Sequence, residues 1–152
     1  MKDCTFELEF TSHVLANGNG QDGNEDKFQR DSENHIVFQQ PWFHSAFTTG
    51  ISLARVKGVK ASDIQVDLTF TAPTETFSRK YGEHNFRQHE AIMPGTRVRF
   101  EAVVADHITE KIVRDVLTKV GKFVGLSPYG FKLGYGKFNV VNVVVGPSDA
   151  VI

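Results

Sequence analysis

The sequence predicts an α+β fold with elements in the order βαββαβ. Three observations carry this. Strict two-residue alternation marks a strand near the N-terminus. Two stretches of apolar residues at helical spacing follow, one before residue 58 and one before residue 125. Further alternating segments lie between and after them. The chain has 152 residues, a hydrophobic fraction of 40% and a charged fraction of 23%. Those values predict one domain over residues 1–152 with a real core. Thirteen Phe against one Trp and three Tyr predict that phenylalanine fills it.

In residues 5–11, Phe6, Leu8 and Phe10 alternate with Glu7, Glu9 and Thr11, as in a half-buried strand. Residues 17–34 are rich in Gly, Asn and Asp without apolar periodicity, so a polar loop is predicted over 16–35. Pro41 suits a helix's first turn. Phe43, Ala46, Phe47, Gly50, Ile51 and Ala54 then recur at helical spacing, and Gly58 is expected to close that helix. Ile64, Val66, Leu68 and Phe70 alternate with polar residues and predict the second strand. A long connection, basic over 77–95, leads to a third strand marked by Val98, Phe100 and Val104. Thr109 can cap the second helix, with Glu110 in its first turn. Ile112, Val116, Val120 and Val124 form its buried stripe, and Gly125 ends it. A glycine-rich segment then enters a final strand over 137–145.

With two right-handed crossovers, this order gives the ferredoxin-like arrangement: a four-stranded antiparallel sheet with both helices on one face. The first and third strands are then neighbours, which brings Glu7 and Glu9 near Arg97 and Arg99. On the open face the outward positions are Glu7, Glu9, Arg97, Arg99 and Glu101. No ring stands among them, so base stacking on the sheet is disfavoured.

Charge and cysteine usage narrow the setting. The net charge is -1. Residues 1–40 carry three basic and eight acidic side chains, whereas residues 41–152 carry fourteen basic and ten acidic. No apolar run approaches the ~18 residues of a membrane span. No signal-peptide segment follows Met1, and the lone Cys4 fits a reducing compartment, so a cytoplasmic location is expected.

The segment Val-Gly-Lys-Phe-Val-Gly closing the second helix, followed by Gly-Tyr-Gly-Lys-Phe-Asn-Val, resembles the RAMP (repeat-associated mysterious protein) superfamily. That superfamily supplies backbone subunits and guide-processing nucleases of CRISPR systems. The opening Pro41-Trp42-Phe43-His44-Ser45-Ala46-Phe47 also looks like that family's first helix. The resemblance spans roughly residues 36–145 and extends to small standalone phage and prokaryotic proteins. It implies a ferredoxin-like fold, single-stranded RNA or DNA as partner, and assembly as a homo-oligomer or within a CRISPR-type complex.

Two segments are candidate nucleic-acid contacts. In the basic loop Arg79, Lys80, Tyr81, His84, Arg87 and His89 interleave cations with rings, which suits phosphates and bases. In the glycine-rich loop Gly130, Gly134 and Gly136 let backbone approach a phosphate, Lys132 and Lys137 add charge, and Tyr129 and Tyr135 offer stacking. No Walker-type Gly-Lys-Ser/Thr is present, which argues against a nucleotide triphosphatase. The six histidines lack Cys or carboxylate partners at zinc spacing, so no metal, cofactor or catalytic set is expected. Two alternatives stay open. One is a metal-independent endoribonuclease using His44 or the His84/His89 pair. The other is a phage interaction protein that contacts protein through its acidic 17–34 loop.

Overall fold

The structure is a computed structural model, and it describes residues 1–18, 25–126 and 133–148. Its element order is β1 (Lys2–Phe10), β2 (Val14–Leu15), β3 (Glu25–Asp26), β4 (Gln29–Arg30), β5 (Ile36–Val37), α1 (Gln40–Ala54), β6 (Ile64–Val66), β7 (Thr69–Phe70), β8 (Glu75–Lys80), β9 (Phe86–Ile92), β10 (Arg97–Val104), α2 (Glu110–Lys119) and β11 (Phe138–Ser148).

The central sheet has the order β11-β1-β10-β6, antiparallel throughout. Every second residue of β1 (Cys4, Phe6, Leu8 and Phe10) is buried, as the alternation predicts. Across the pair Phe6 meets Phe100 in register, their rings stacked with centroids 5.3 Å apart. Phe43 of α1 sits edge-on to Phe100 at 5.6 Å. Val113, Val116 and Leu117 of α2 join the same apolar cluster. Gly50 lets the helices touch, because a Cβ there would lie 2.5 Å from a Val120 methyl carbon. Among the described residues nine phenylalanines are buried, with Phe38 against Phe70 at 4.7 Å. Thr109 caps α2 by accepting from the Ile112 N–H, as its residue type predicts.

Elsewhere the local pattern is overruled. The second predicted strand breaks in two at Asp67, whose carboxylate accepts from the N–H and hydroxyl of Thr69 and turns the chain. Its first half, β6, pairs β10. Its second half, β7, leaves for a separate sheet of order β4-β5-β7. The connection after it is no open loop but the antiparallel hairpin β8–β9, whose second strand also pairs β2 and β3. The polar loop is likewise part-structured. Phe28 is buried, and its N–H donates to the Glu90 carboxylate. Helix α1 ends at Ala54 on a left-handed Arg55 (φ 56°), before Gly58. After α2 the chain widens into one π-turn over 120–124, closed by the Gly125 N–H donating to the Val120 carbonyl at 2.7 Å. Among the described residues, no helix is long and apolar enough to cross a membrane.

Candidate nucleic-acid interface

The hairpin register sets which predicted residues share a face. Phe77 pairs His89, Arg79 pairs Arg87, and Lys80 pairs Phe86. Phe77, Arg79, Tyr81, Arg87 and His89 therefore alternate onto one face, and Lys80 and Phe86 onto the other. Two arginines directly opposite each other would repel. The fold supplies the countercharge from the acidic segment. Arg87 makes a two-pronged contact to Asp26, at 2.6 and 3.3 Å. Arg79 Nε–H donates to His89 Nε2 at 3.1 Å.

His89 is completely buried, which corrects its assignment as a direct ligand contact: no strand of nucleic acid can reach it. Its role is positional. Nδ1 lies 2.7 Å from the Ala16 carbonyl and 3.3 Å from Asp26. Because Nε2 accepts from Arg79, the neutral tautomer with the proton on Nδ1 satisfies every partner. The Arg87 hydrogen bond, working against burial, holds the Asp26 carboxyl below its ordinary value. At Glu90, burial pushes the carboxyl upward, but donors from Phe28, Thr74 and Arg30 bring it below its ordinary value. The acidic segment is thus buttoned to the basic hairpin at two carboxylates.

At the tip Tyr81 is 48% exposed and Phe86 59%, unusual for rings of this size. The Arg79 guanidinium stands 5.7 Å from the Tyr81 ring. Lys80 and His84 are exposed beside them.

The glycine-rich loop comes to the hairpin's base. Tyr135 packs edge-on against Phe77 at 5.8 Å, and the Phe77 ring lies tilted by 37° against His13, their centroids 4.3 Å apart. Burial lowers the pKa of His13. Gly134 (φ 80°) and Gly136 (φ 73°) hold left-handed backbone, the conformational use their residue type predicts. The Gly136 N–H does not face outward for a phosphate, however. It donates to the His13 carbonyl at 2.7 Å, and the Lys137 N–H donates to Ser12 Oγ at 2.9 Å. These amides are consumed in docking the loop, so any anion contact there falls to side chains. Tyr129, Gly130 and Lys132 lie outside the described residues.

The remaining candidates separate from this edge. Arg97 pairs with Glu9 at 3.6 Å and Glu7 at 4.0 Å, as the strand order predicts, while Arg99 turns to Glu101 at 3.3 Å. His44 is exposed on α1 beside a cavity of about 390 Å³ lined by Gln40, Ser62 and Gln65 among others, with no Lys or Tyr in its wall. His107 sits 3.3 Å from Asp63. Among the described residues no three His, Cys, Asp or Glu side chains gather as for a metal ion. Sequence reasoning missed the roles of Asp26 and His13, which come from partners over sixty residues away.

No protein-family model matches the sequence, and no curated protein matches it. The architecture does have a counterpart among solved structures. The chain shares its fold with a chain in the cryo-EM structure of the Type III-B Cmr-beta bound to cognate target RNA. The TM-score is 0.68 at 12% identity, covering 96% of this chain and 61% of the other. This chain therefore spans about 61% of that neighbour's length. The crystal structure of the CRISPR-associated protein Cas6e from Escherichia coli str. K-12 aligns with the same coverage at 11% identity, but its TM-score of 0.25 supports no shared fold.

Proposed function

We propose that this chain is a single ferredoxin-like domain of RAMP type that binds single-stranded nucleic acid, RNA in preference to DNA, along its phosphate backbone. The strand order β11-β1-β10-β6 supports the fold reading, since it is the order a βαββαβ chain adopts with two right-handed crossovers. One observation carries the binding reading. The two candidate segments, 50 residues apart in sequence, join through the His13–Phe77–Tyr135 contact. In this reading the hairpin contributes Lys80, Tyr81 and Phe86, and the glycine-rich loop contributes Tyr135 and Lys137. Cations at intervals neutralise phosphates, and the exposed tip rings offer π-faces that any base can use. Shared architecture with a chain from an RNA-bound structure is consistent with this reading, and by that analogy we extend the proposal to a cytoplasmic setting within a CRISPR-type complex or a homo-oligomer.

The test is fluorescence anisotropy with labelled single-stranded RNA and DNA across a salt series. The wild type is expected to bind RNA more tightly, with affinity falling as salt rises. Lys80→Glu is expected to weaken both and to reduce the salt slope by about 1. Tyr81→Ala removes a stacking ring, for which about 1–3 kcal/mol of binding is typical. Retention of no oligonucleotide at low salt would sink the reading.

A further inference from the structure

A cavity of about 380 Å³ opens between the π-turn and the start of β11, beside the glycine-rich loop. Lys122, Lys137, Asn139 and Thr11 line it together with Gly121 and Phe138, and among the described residues no carboxylate does. We infer that this cavity is a phosphate-binding site.

Among the described residues, the lysines paired with carboxylates are Lys27 with Glu25 and Lys111 with Asp115, so neither Lys122 nor Lys137 is in an ion pair. The carboxylate nearest in register, Glu9 opposite Asn139, is engaged by Arg97 at 3.6 Å. Burial pulls the Lys137 ammonium below the ordinary lysine range, a cost that an adjoining anion would reverse. The residue types that line it are suited to phosphate, since Lys122, Lys137, Asn139 and Thr11 all carry side-chain donors. Thr118 also lines the cavity, but its hydroxyl already donates to the Arg114 carbonyl at 2.7 Å.

The site is built from rigid parts. Backbone hydrogen bonds pin Lys137 on both sides, its N–H to Ser12 Oγ and its carbonyl to the Thr11 N–H, each at 2.9 Å. The opposite wall is the π-turn, a rare local geometry that recurs at functional sites. It seats Gly121 so close to β11 that a Cβ would fall 2.3 Å from the Phe138 carbonyl oxygen. Next to Lys122 in the π-turn, Phe123 is 44% exposed, with Lys122 Nζ 5.3 Å and Lys119 Nζ 5.6 Å from its ring centroid. The phosphate can come from a strand's phosphodiester, which rests on the binding reading above, or from a free phosphate.

The experiment titrates the full chain with inorganic phosphate and, separately, with single-stranded oligouridylate while backbone amide resonances are followed. Phosphate is expected to shift the amides of Lys122, Lys137 and Asn139, with affinity reduced at least about fivefold in Lys122→Gln. A Lys137→Gln variant checks the same loss from the opposite wall. If oligouridylate shifts those amides too, the site stands and the strand is its source. A response to inorganic phosphate alone leaves the site standing with free phosphate as its source. Oligouridylate binding confined to the hairpin, with these amides silent to both probes, overturns the cavity and leaves the strand-binding reading intact. Silence everywhere overturns both.

Discussion

At the scale of single residues, the fold depends on contacts that admit no substitute. Gly121 is the clearest. Any side chain there collides with the backbone and ring of Phe138. Gly121→Ala is expected to destabilise by about 1–3 kcal/mol as overpacking, read as a lower melting temperature by calorimetry. An unchanged melting temperature would mean that β11 moves freely away from the π-turn. Cys4 gives a second residue-level expectation. It is 1% exposed, and burial, with a smaller push from Glu101, raises its thiol to about 11. A thiol-reactive chromophore at neutral pH is therefore expected to find no reactive sulfur in the folded protein and one per chain in guanidinium. Rapid native-state labelling would contradict the burial.

Asp26 links residue and pH. Its carboxyl titrates lower in the fold than in the unfolded chain, chiefly through Arg87. The stabilisation is thus complete above the ordinary carboxylate range and is lost as pH falls through the folded value. Between pH 5 and pH 3 the wild type should lose more melting temperature than Asp26→Asn, which lacks the titrating group. Equal losses would show that the Asp26–Arg87 pair contributes nothing.

At the scale of elements, legibility followed sequence distance. β1, α1, α2, β10 and β11 were readable because each carries its own periodicity over eight residues or more. The two-residue strands β2, β3, β4, β5 and β7 carry none. Apart from β4, which pairs with nearby β5, they exist because partners far along the chain offer unpaired backbone, as when Glu25 and Asp26 align beside Gln88 and His89. The hairpin was hidden for a related reason. Its strand β8 reads Glu-Thr-Phe-Ser-Arg-Lys, with one apolar residue to betray a face. Cutting the button between the segments tests this view. Asp26→Ala is expected to speed amide hydrogen exchange in β9 around Arg87–His89 while leaving β1 and β10 protected. Uniform acceleration across the molecule would instead mean that hairpin and central sheet open together.

At the scale of the whole molecule, the charge asymmetry found in the sequence acquires a structural meaning. The acidic segment is engaged in part within the molecule. Asp26 takes Arg87, and Arg30 of the same segment takes Glu90. Part of the basic character of residues 77–95 is thereby neutralised internally, so the cations left for a ligand are fewer than the sequence suggests. This changes which substitutions report on binding. Arg87→Glu is expected to lower stability and RNA affinity together, because it breaks the Asp26 pair. Lys80→Glu should lower affinity with little change in melting temperature. Paired melting and anisotropy measurements separate the two, and equal stability losses would refute the distinction.

The sequence alone determined the order of the main elements, the phenylalanine core, the Thr109 cap and the Glu7/Glu9–Arg97 ladder. The first three rest on periodicity or on residue type at one position, and the ladder follows from the strand neighbours that the element order implies. Tertiary structure alone decided that His89 is buried, that Asp26 clasps Arg87, and that Tyr135 meets Phe77 and His13. It also decided that Lys122 and Lys137 share one cavity. Those relations join residues from 15 to more than 100 positions apart, and only the folded chain sets the distances between them.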